Sequence, residues 1–531
     1  MSRSNPERER PGGAISPHLD RVGALLRSSR YTPGVRVLLV STYELGHQPL
    51  SVATAAASLT RGGHEVRCAD VAVESLDVRD VDWAEKVALS VPMHTAMRLA
   101  REVAGSIRQR RPGMPLCFFG LYAGTAKDLV RDSPGDAVIA GEYEPGLTSW
   151  AGGGDPGPQV TLKRTDGILP LRSYLPPLES YARFVVGEKE GLVGSVTASR
   201  GCSHRCRHCP VPVVYDGRVR PVAAQVVLED VDNLVAAGAS HISFSDPDFL
   251  NVPGHSRRVI NAFHERHPHV SFDVTIKVEH ILRHRSLLAE LAVAGCSFVV
   301  SAFESTSDRI LRILDKGHTA GDASEAVVAL RQCGIEVRPS WLPFTPWTTV
   351  SDLVDLFDFV VAHDLVANVD PVQYTIRLLL PEGSLLVARP EMTPHLRGYD
   401  PVQLGWTWTH PDPGVEHLHK LMAHEVEASL GEPAEDTFER IESVVRAGDG
   451  SRRTRPKRGC VSQGPAGDRP RLSETWFCCS EPTQSQLAAV GNACGSPRGL
   501  DEASVPPGSA LHAAANSTER VICETQPSAC P

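Results

Sequence analysis

Residues 199–210, Ser-Arg-Gly-Cys-Ser-His-Arg-Cys-Arg-His-Cys-Pro, decide the fold and the chemistry of this chain. Their cysteines, Cys202, Cys206 and Cys209, have the spacing C-x3-C-x2-C. Three thiolates placed this closely can bind three irons of a 4Fe–4S cluster and leave the fourth iron open to a small molecule. The alternative is a structural zinc site that includes His204 or His208. Zinc sites usually combine two separated Cys/His pairs, however, and no second pair follows closely here.

At these cysteines the chain resembles the radical SAM superfamily. The resemblance implies that S-adenosylmethionine (SAM) binds the open iron and is cleaved to a 5′-deoxyadenosyl radical. It also implies a low-potential reductant such as a flavodoxin or a ferredoxin. Family members often carry an aromatic residue just before the third cysteine, and His208 occupies that position here. The resemblance therefore suggests that His208 contacts the adenine of SAM.

Residues 191–385 alternate strand-like and helix-like runs in six units, which predicts a partial (β/α)6 barrel of the TIM type rather than a full eight-unit barrel. Radical SAM cores have this partial form. The chemistry of such barrels lies at the carboxyl ends of the strands, and the cysteine run falls at one of these ends. The strand-like runs are residues 193–199, 241–245, 271–276, 297–303, 336–342 and 372–378.

Residues 35–150 also alternate strands and helices, and this pattern predicts a doubly wound, flavodoxin-like domain. In many radical SAM enzymes a domain of this shape precedes the barrel and binds cobalamin through an Asp-x-His-x-x-Gly run. The chain has no such run, and His47 and His94 stand in other contexts. The pattern is therefore compatible with a cobalamin-binding domain and with a structural version of one.

An acidic run, Phe-Ser-Asp-Pro-Asp-Phe, spans residues 244–249 at the end of the second barrel strand. It resembles the acidic variants that cobalamin-associated members carry where other members bind the amino group of SAM. A carboxylate of Asp246 or Asp248 can accept a charge-assisted hydrogen bond from an ammonium group. The alternative is that these aspartates cap a helix or a turn.

Two further strand ends carry charged residues. Glu304 ends the fourth strand, in a Glu-Ser-Thr-Ser-Asp run that continues to Lys-Gly-His-Thr and resembles the cobalamin-branch enzymes. That resemblance implies a hydrogen bond from the SAM ribose to Glu304. Lys277 ends the third strand and is a candidate partner for the SAM carboxylate, although such a lysine is more often a solvated strand end.

The remaining segments are predicted from composition. We expect disorder in residues 1–33, a linker at 151–190, a cap over the barrel at 386–445 and a disordered tail at 446–531. The tail contains Trp-Phe-Cys-Cys-Ser-Glu-Pro, which resembles a small radical SAM group named for its Cys-Sec-Ala-Glu-Pro or Cys-Cys-Ala-Glu-Pro ending. The resemblance suggests that Cys478 and Cys479 take part in catalysis.

Charge and hydropathy exclude other classes of function. The 531-residue chain has a formal net charge of −9, whereas nucleic-acid binding needs a dense Lys/Arg surface. We expect no membrane span and no secretory signal, and 13 cysteines then indicate reduced thiols in the cytoplasm. The leading hypothesis is a radical SAM enzyme acting on a small molecule or a peptide. The alternatives are a cobalamin-dependent radical SAM methyltransferase and a non-catalytic iron–sulfur or zinc protein that senses redox state.

Overall fold

The structure, a computed structural model, describes residues 34–126, 135–165, 167–429, 431–450, 454–456 and 466–474. The predictions for residues 1–33 and for Cys478 and Cys479 fall outside this part of the chain. Among the described residues, no helix combines the length and the apolar character that crossing a bilayer requires.

A parallel sheet forms the N-terminal domain, as the alternating pattern predicts. Its strand order is β2-β1-β3-β4-β5-β6, so the strand order reverses between β1 and β3, as in flavodoxin-like folds. Apolar helices cover both faces, because strands of a parallel sheet are buried on both sides. The strands are β1 Arg36–Ser41, β2 Glu65–Asp70, β3 Lys86–Ser90, β4 Leu116–Phe119, β5 Ala137–Gly141 and β6 Val160–Thr161. The helices are α1 Leu50–Arg61, α2 Val78–Trp83, α3 His94–Arg110 and α4 Glu144–Ala151.

A second, seven-stranded sheet forms a half-barrel with the order β14-β13-β12-β11-β8-β7-β17. Its strands β8 and β11 to β14 are parallel, whereas β7 and β17 extend one edge in antiparallel pairing. The strands of this region are β7 Arg183–Val186, β8 Lys189–Val196, β9 Ser199–Gly201, β10 Val219–Pro221, β11 Ala239–Phe244, β12 Ser271–Thr275, β13 Cys296–Glu304 and β14 Glu336–Trp341.

Helices connect these strands and cover the outer face of the half-barrel. Two of them begin with a capping box, in which Thr319 pairs with Asp322 and Thr349 pairs with Asp352. The helices are α5 Val211–Tyr215, α6 Ala224–Ala236, α7 Pro253–Arg266, α8 Val278–Arg283, α9 Arg285–Val293, α10 Asp308–Leu314, α11 Ala320–Gln332 and α12 Val350–Ala362.

The sixth strand predicted for the barrel differs from the structure. Residues 372–378 contribute a 3-10 turn at Pro371–Thr375 and one isolated parallel bridge, between Phe344 and Arg377. The guanidinium of Arg377 instead pairs with Glu416 at 2.8 Å and lies over the Trp408 ring. The C-terminal region therefore holds this run beside the sheet, and periodicity alone does not report such a contact.

The C-terminal region packs against the open side of the half-barrel. It contains a hairpin of β15 Leu396–Asp400 and β16 Gly405–Trp408, followed by the helices α13 Pro413–Ala428 and α14 Ala434–Asp449. Phe438 and Ile441 of α14 belong to the same apolar cluster as the barrel strands and their helices. The role of residues 386–445 as a cap over the barrel stays a prediction.

Residues 466–474, which lie inside the tail predicted to be disordered, pack on the protein. Arg469 is buried and pairs with Asp364 at 2.6 Å. The short strand β17 Arg471–Leu472 then pairs with β7. A composition rich in Gly, Pro and Arg does not reveal one buried ion pair, which explains the difference from the prediction.

The two domains meet at the cysteine run. Val211, Val214 and Tyr215 of α5 share an apolar cluster with Val91 and Tyr122 from the carboxyl edge of the N-terminal sheet. Tyr215 also donates a hydrogen bond to Glu142 across this contact. The segment that follows the cysteines is thus held by both domains.

Candidate functional site

The cysteine run lies at the carboxyl end of the first parallel strand of the half-barrel. Strand β8 ends at Val196, and the hairpin of β9 and β10 encloses the loop from Cys202 to Pro210. Gly201 precedes the first cysteine with a φ of +76°, in the left-handed region where side chains are disfavoured. A Cβ added at Gly201 would lie 2.3 Å from the carbonyl oxygen of Arg218.

Replacing Gly201 with alanine is therefore expected to disturb the cysteine loop. The left-handed backbone alone costs about 1–2 kcal/mol for a residue with a Cβ, and the close oxygen adds to it. We expect a lower melting temperature and a lower iron content after reconstitution. Gly334→Ala is the matched control, because its φ is +78° and the space around its Cβ position is open. Equal iron loss in both variants would contradict a local effect on the loop.

None of the three cysteines forms a disulfide, and Cys206 is buried while the other two are half-buried. Backbone contacts hold the loop, since the N–H of Arg207 donates to the carbonyl of Leu314 at 2.8 Å. Asn251 accepts hydrogen bonds from the backbone and the hydroxyl of Ser203, and it lies 3.7 Å from the sulfur of Cys202. Three closely spaced thiols in one anchored loop suit a 4Fe–4S cluster with an open iron.

The zinc alternative needs a fourth ligand, and the two neighbouring histidines are engaged elsewhere. His204 lies between Lys277 and His280, at 3.1 Å and 3.3 Å. His208 lies 3.1 Å from a carboxylate oxygen of Glu304. The chemistry of the donor set therefore fits an iron–sulfur cluster better than a closed zinc site.

The two aspartates after β11 have different surroundings. Asp246 is fully engaged by the protein, since it accepts hydrogen bonds from the hydroxyl of Ser199 and the backbone N–H of Ala198. Burial raises the pKa of Asp246 to about 6. Asp248 caps the turn at Leu250 with Oδ1 alone, and its Oδ2 is buried without a hydrogen bond. Of the carboxylate oxygens of these two aspartates, Oδ2 of Asp248 is therefore the one that accepts no hydrogen bond, although it lies 2.7 Å from His280.

Oδ2 of Asp248 lies 2.7 Å from a ring nitrogen of His280 and 3.7 Å from a ring nitrogen of His204. Three side chains of types that commonly bind metal ions therefore converge there. A metal-bound histidine usually donates its other N–H to an acceptor. The other nitrogen of His204 instead faces the ammonium of Lys277, which can only donate. Burial, together with Lys277 and His280, lowers the pKa of His204 to about 4. We therefore assign this cluster to a polar binding pocket and not to a metal site.

Lys277 is buried and is not the solvated strand end that the sequence allowed. Its ammonium lies 3.3 Å from Glu279, which neutralises part of its charge. The carbonyl of Lys277 accepts the first hydrogen bonds of helix α8, so its position follows from the end of β12. A buried ammonium at this strand end can face the carboxylate of a bound ligand.

Glu304 ends β13 with a φ of +64°, which is uncommon for a residue with a side chain. It is buried and lies 3.1 Å from both Lys316 and His208. Burial acts to raise the pKa of Glu304, but Lys316 and His208 together hold this pKa well below its usual range. Glu304 is therefore a carboxylate at neutral pH, with a second oxygen for further hydrogen bonds.

The structure brings His208, Asp248, Lys277 and Glu304 to the same edge of the half-barrel as the three cysteines. The sequence did not single out Lys316, His280 or Asn251, which also reach this edge. Lys316 belongs to the Lys-Gly-His-Thr run, whose role could have been suspected from its position after Glu304. No sequence pattern distinguishes His280 and Asn251 from surface residues.

Residues 196–360 match the family model of the Radical SAM superfamily, so this part of the chain is a radical SAM domain. The match covers the cysteine run and the four parallel strands that follow β8, namely β11 to β14. A radical SAM domain implies a 4Fe–4S cluster and SAM as cofactors, in agreement with the donor set of the loop.

Curated relatives are similar over part of their length. The hopanoid C-3 methylase of Methylococcus capsulatus is 24% identical over 329 residues, which cover 56% of this chain and 62% of that protein. The tRNA-2-methylthio-N(6)-dimethylallyladenosine synthase of Syntrophobacter fumaroxidans is 28% identical over 166 residues, which cover 28% of this chain and 34% of that protein. The chain thus spans between a third and three-fifths of the length of these relatives.

Solved structures share the fold. One is the cobalamin-dependent S-adenosylmethionine radical enzyme OxsB with aqua-cobalamin and SAM bound, which matches with a TM-score of 0.57 at 14% identity. The match covers 78% of this chain and 72% of the OxsB chain. The radical SAM methyltransferase TsrM from Kitasatospora setae, with tryptophan and a SAM analogue bound, has a TM-score of 0.55 at 16% identity. That match covers 80% of this chain and 96% of TsrM. The order of a flavodoxin-like domain followed by a half-barrel is therefore shared with these enzymes.

Proposed function

Starting from the radical SAM domain at residues 196–360, we propose that this protein is a radical SAM enzyme whose cluster is bound by Cys202, Cys206 and Cys209. One observation carries the proposal. The three cysteines form no disulfide and share one anchored loop at the carboxyl edge, while both neighbouring histidines are engaged by other side chains.

When bound, the cluster supplies one electron that cleaves the bond between sulfur and C5′ of SAM, giving methionine and a 5′-deoxyadenosyl radical. That electron comes from a low-potential donor such as a flavodoxin or a ferredoxin. The radical then abstracts hydrogen from the substrate. We place this reaction in the cytoplasm, where thiols stay reduced.

The residues of the edge bind and orient SAM in this proposal. Asp248 accepts a hydrogen bond from the ammonium group of SAM through Oδ2, which also faces His280, and Lys277 faces the carboxylate of SAM. Glu304 accepts from the ribose with the oxygen that Lys316 and His208 leave available. The imidazole of His208 packs against the adenine. Asp246 holds the loop through Ser199 and Ala198 and does not contact SAM.

The substrate class is a small molecule or a peptide. The Cys-Cys-Ser-Glu-Pro motif supports membership of the group named for its Cys-Sec-Ala-Glu-Pro ending, although Ser480 replaces the alanine. In that reading Cys478 and Cys479 act in catalysis. Both cysteines lie outside the described residues, so this role stays a prediction.

A cobalamin-dependent methyltransferase is the second candidate, because the solved structures that share this fold include OxsB with aqua-cobalamin bound and the methyltransferase TsrM. A cavity lined by residues such as Thr54, Glu142, Arg200 and Val226 has a volume of about 250 Å³. Drug-sized ligands need roughly 300–1,000 Å³, and a corrin is larger, so this cavity does not hold a corrin as it stands. We therefore derive no step through cobalamin.

The deciding experiment is electron paramagnetic resonance on the anaerobically reconstituted and reduced protein, with and without SAM. We expect a reduced 4Fe–4S signal that changes when SAM is added, because SAM binds the open iron. Analysis of the products should find 5′-deoxyadenosine. A cluster that is indifferent to SAM, or zinc in place of iron, would refute the proposal and leave the non-catalytic alternative. Corrinoid that remains bound through purification would favour the methyltransferase.

A further inference from the structure

We infer that Lys316 is a positioning residue that raises the reduction potential of the cluster bound by Cys202, Cys206 and Cys209. The inference rests on the proposed function and goes beyond it, because it assigns the charge that tunes the electron transfer. Lys316 lies on the turn between α10 and α11, and neither the cysteine spacing nor the binding of SAM requires a cation there.

Lys316 is a buried ammonium, with only 4% of its surface exposed. Its ammonium forms an ion pair with Glu304, at 3.1 Å. A buried ion pair is costly to form, since both charges lose hydration, and replacement by apolar residues is often neutral or stabilising. Stability alone therefore does not account for the ion pair of Lys316 and Glu304. A role of this pair at the neighbouring cysteine site does account for it.

The turn that carries Lys316 is attached to the cysteine loop. The backbone N–H of Arg207 donates to the carbonyl of Leu314 at 2.8 Å, and its guanidinium donates to the carbonyl of Ile313 at 2.9 Å. Asp315 takes a left-handed conformation with a φ of +58°, which turns the chain directly after α10. These contacts fix Lys316 beside the cysteine loop and keep its side chain away from solvent.

The electrostatics of Lys316 include the thiols themselves. Burial acts to lower the pKa of Lys316, but Glu304 and then Cys206 and Cys209 raise it above its usual value. Lys316 and His208 both lie 3.1 Å from the same oxygen of Glu304, Oε1, and Lys316 is the member of its pair whose charge also interacts with the sulfur ligands. The other cations that face this region, Arg207 and Lys277, are balanced by Asp315 and Glu279.

A cation in this position favours the reduced cluster. One-electron reduction adds a negative charge to a group already ligated by three thiolates, and a buried positive charge stabilises the more negative state. Charge and hydrogen bonding around the sulfurs are recognised determinants of cluster potentials. The effect is stronger in the interior than at the surface, because the effective dielectric constant is lower.

The test is a potentiometric titration of the SAM-free cluster, followed by paramagnetic resonance, in the full-length protein. Lys316→Met is expected to lower the ratio of reduced to oxidised cluster at a fixed potential about tenfold, which corresponds to a potential about 59 mV more negative. Lys316→Arg keeps the charge and should restore most of the ratio. Lys189→Met removes an exposed lysine at the start of β8 and should leave the ratio unchanged.

Lys316→Met leaves Glu304 buried without its lysine and can fail to fold. The double variant Lys316→Met/Glu304→Gln removes both charges and should still shift the ratio downwards, by a smaller amount. An unchanged ratio in the folded Lys316→Met protein, or in the double variant if only that one folds, would overturn the inference. A wild-type protein without a 4Fe–4S signal would instead overturn the proposed function.

Discussion

Replacing Cys209 with alanine is expected to abolish both cluster binding and SAM cleavage. A cubic cluster held by three thiolates loses one third of its protein ligands, and the neighbouring His208 is committed to Glu304 and cannot substitute. The loop itself should survive, because its backbone contacts to Leu314 and Asn251 do not involve the sulfur of Cys209. The measurements are iron and sulfide content after reconstitution and the yield of 5′-deoxyadenosine.

Cys333→Ala provides the matched control for this experiment. Cys333 is a free, half-buried thiol that ends α11, away from the carboxyl edge of the half-barrel. Its removal should leave iron content and SAM cleavage at wild-type levels. Full SAM cleavage by the Cys209 variant would refute the ligand assignment, and equal losses in the two variants would indicate general damage from thiol removal.

Much of the architecture could be predicted because local patterns determine it. Parallel strands buried on both faces appear as short apolar runs, and the runs at residues 35–41 and 271–276 became β1 and β12 within one residue at each end. The cysteine run was equally informative, since its spacing carries the ligand geometry itself. Its position at the carboxyl end of β8 follows from the order of strand, loop and helix.

The rest depends on contacts between residues that are distant in the chain. Residues 372–378 resemble a strand, yet Glu416 and Trp408 engage Arg377 and leave one isolated bridge there. The tail at 466–474 has a disordered composition, but Arg469 is buried against Asp364. Neither partner is recognisable from the sequence, because the separations are 39 and 105 residues.

Contacts with residues distant in the chain also decide between the two aspartates of the Phe-Ser-Asp-Pro-Asp-Phe run. Both were equal candidates for the amino group of SAM, since residue type and position do not separate them. The structure separates them by their hydrogen bonds. Asp246 has both oxygens engaged by Ser199 and Ala198, while Oδ2 of Asp248 accepts no hydrogen bond and faces His280. This difference leads to opposite expectations for two very similar substitutions.

Asp248→Asn is expected to weaken SAM binding strongly and to leave the cluster intact. A hydrogen bond between a carboxylate and an ammonium is worth about 1.5–3 kcal/mol, which corresponds to roughly 10-fold to 150-fold in affinity. The change is nearly isosteric, and the amide oxygen can still cap the turn at Leu250. The affinity is measured by titrating SAM into the reduced protein and following the change in the paramagnetic signal.

Asp246→Asn is the matched control, and its expected effect is on folding. An amide cannot accept from both Ser199 and Ala198, so one buried donor loses its partner, at a cost of about 1–3 kcal/mol. The melting temperature should fall, while the folded fraction should bind SAM with wild-type affinity. If Asp246→Asn weakened SAM binding and Asp248→Asn did not, the ammonium would have to be assigned to Asp246. That outcome would require the contacts of Ser199 and Ala198 to open when SAM binds, because both oxygens of Asp246 are occupied without it.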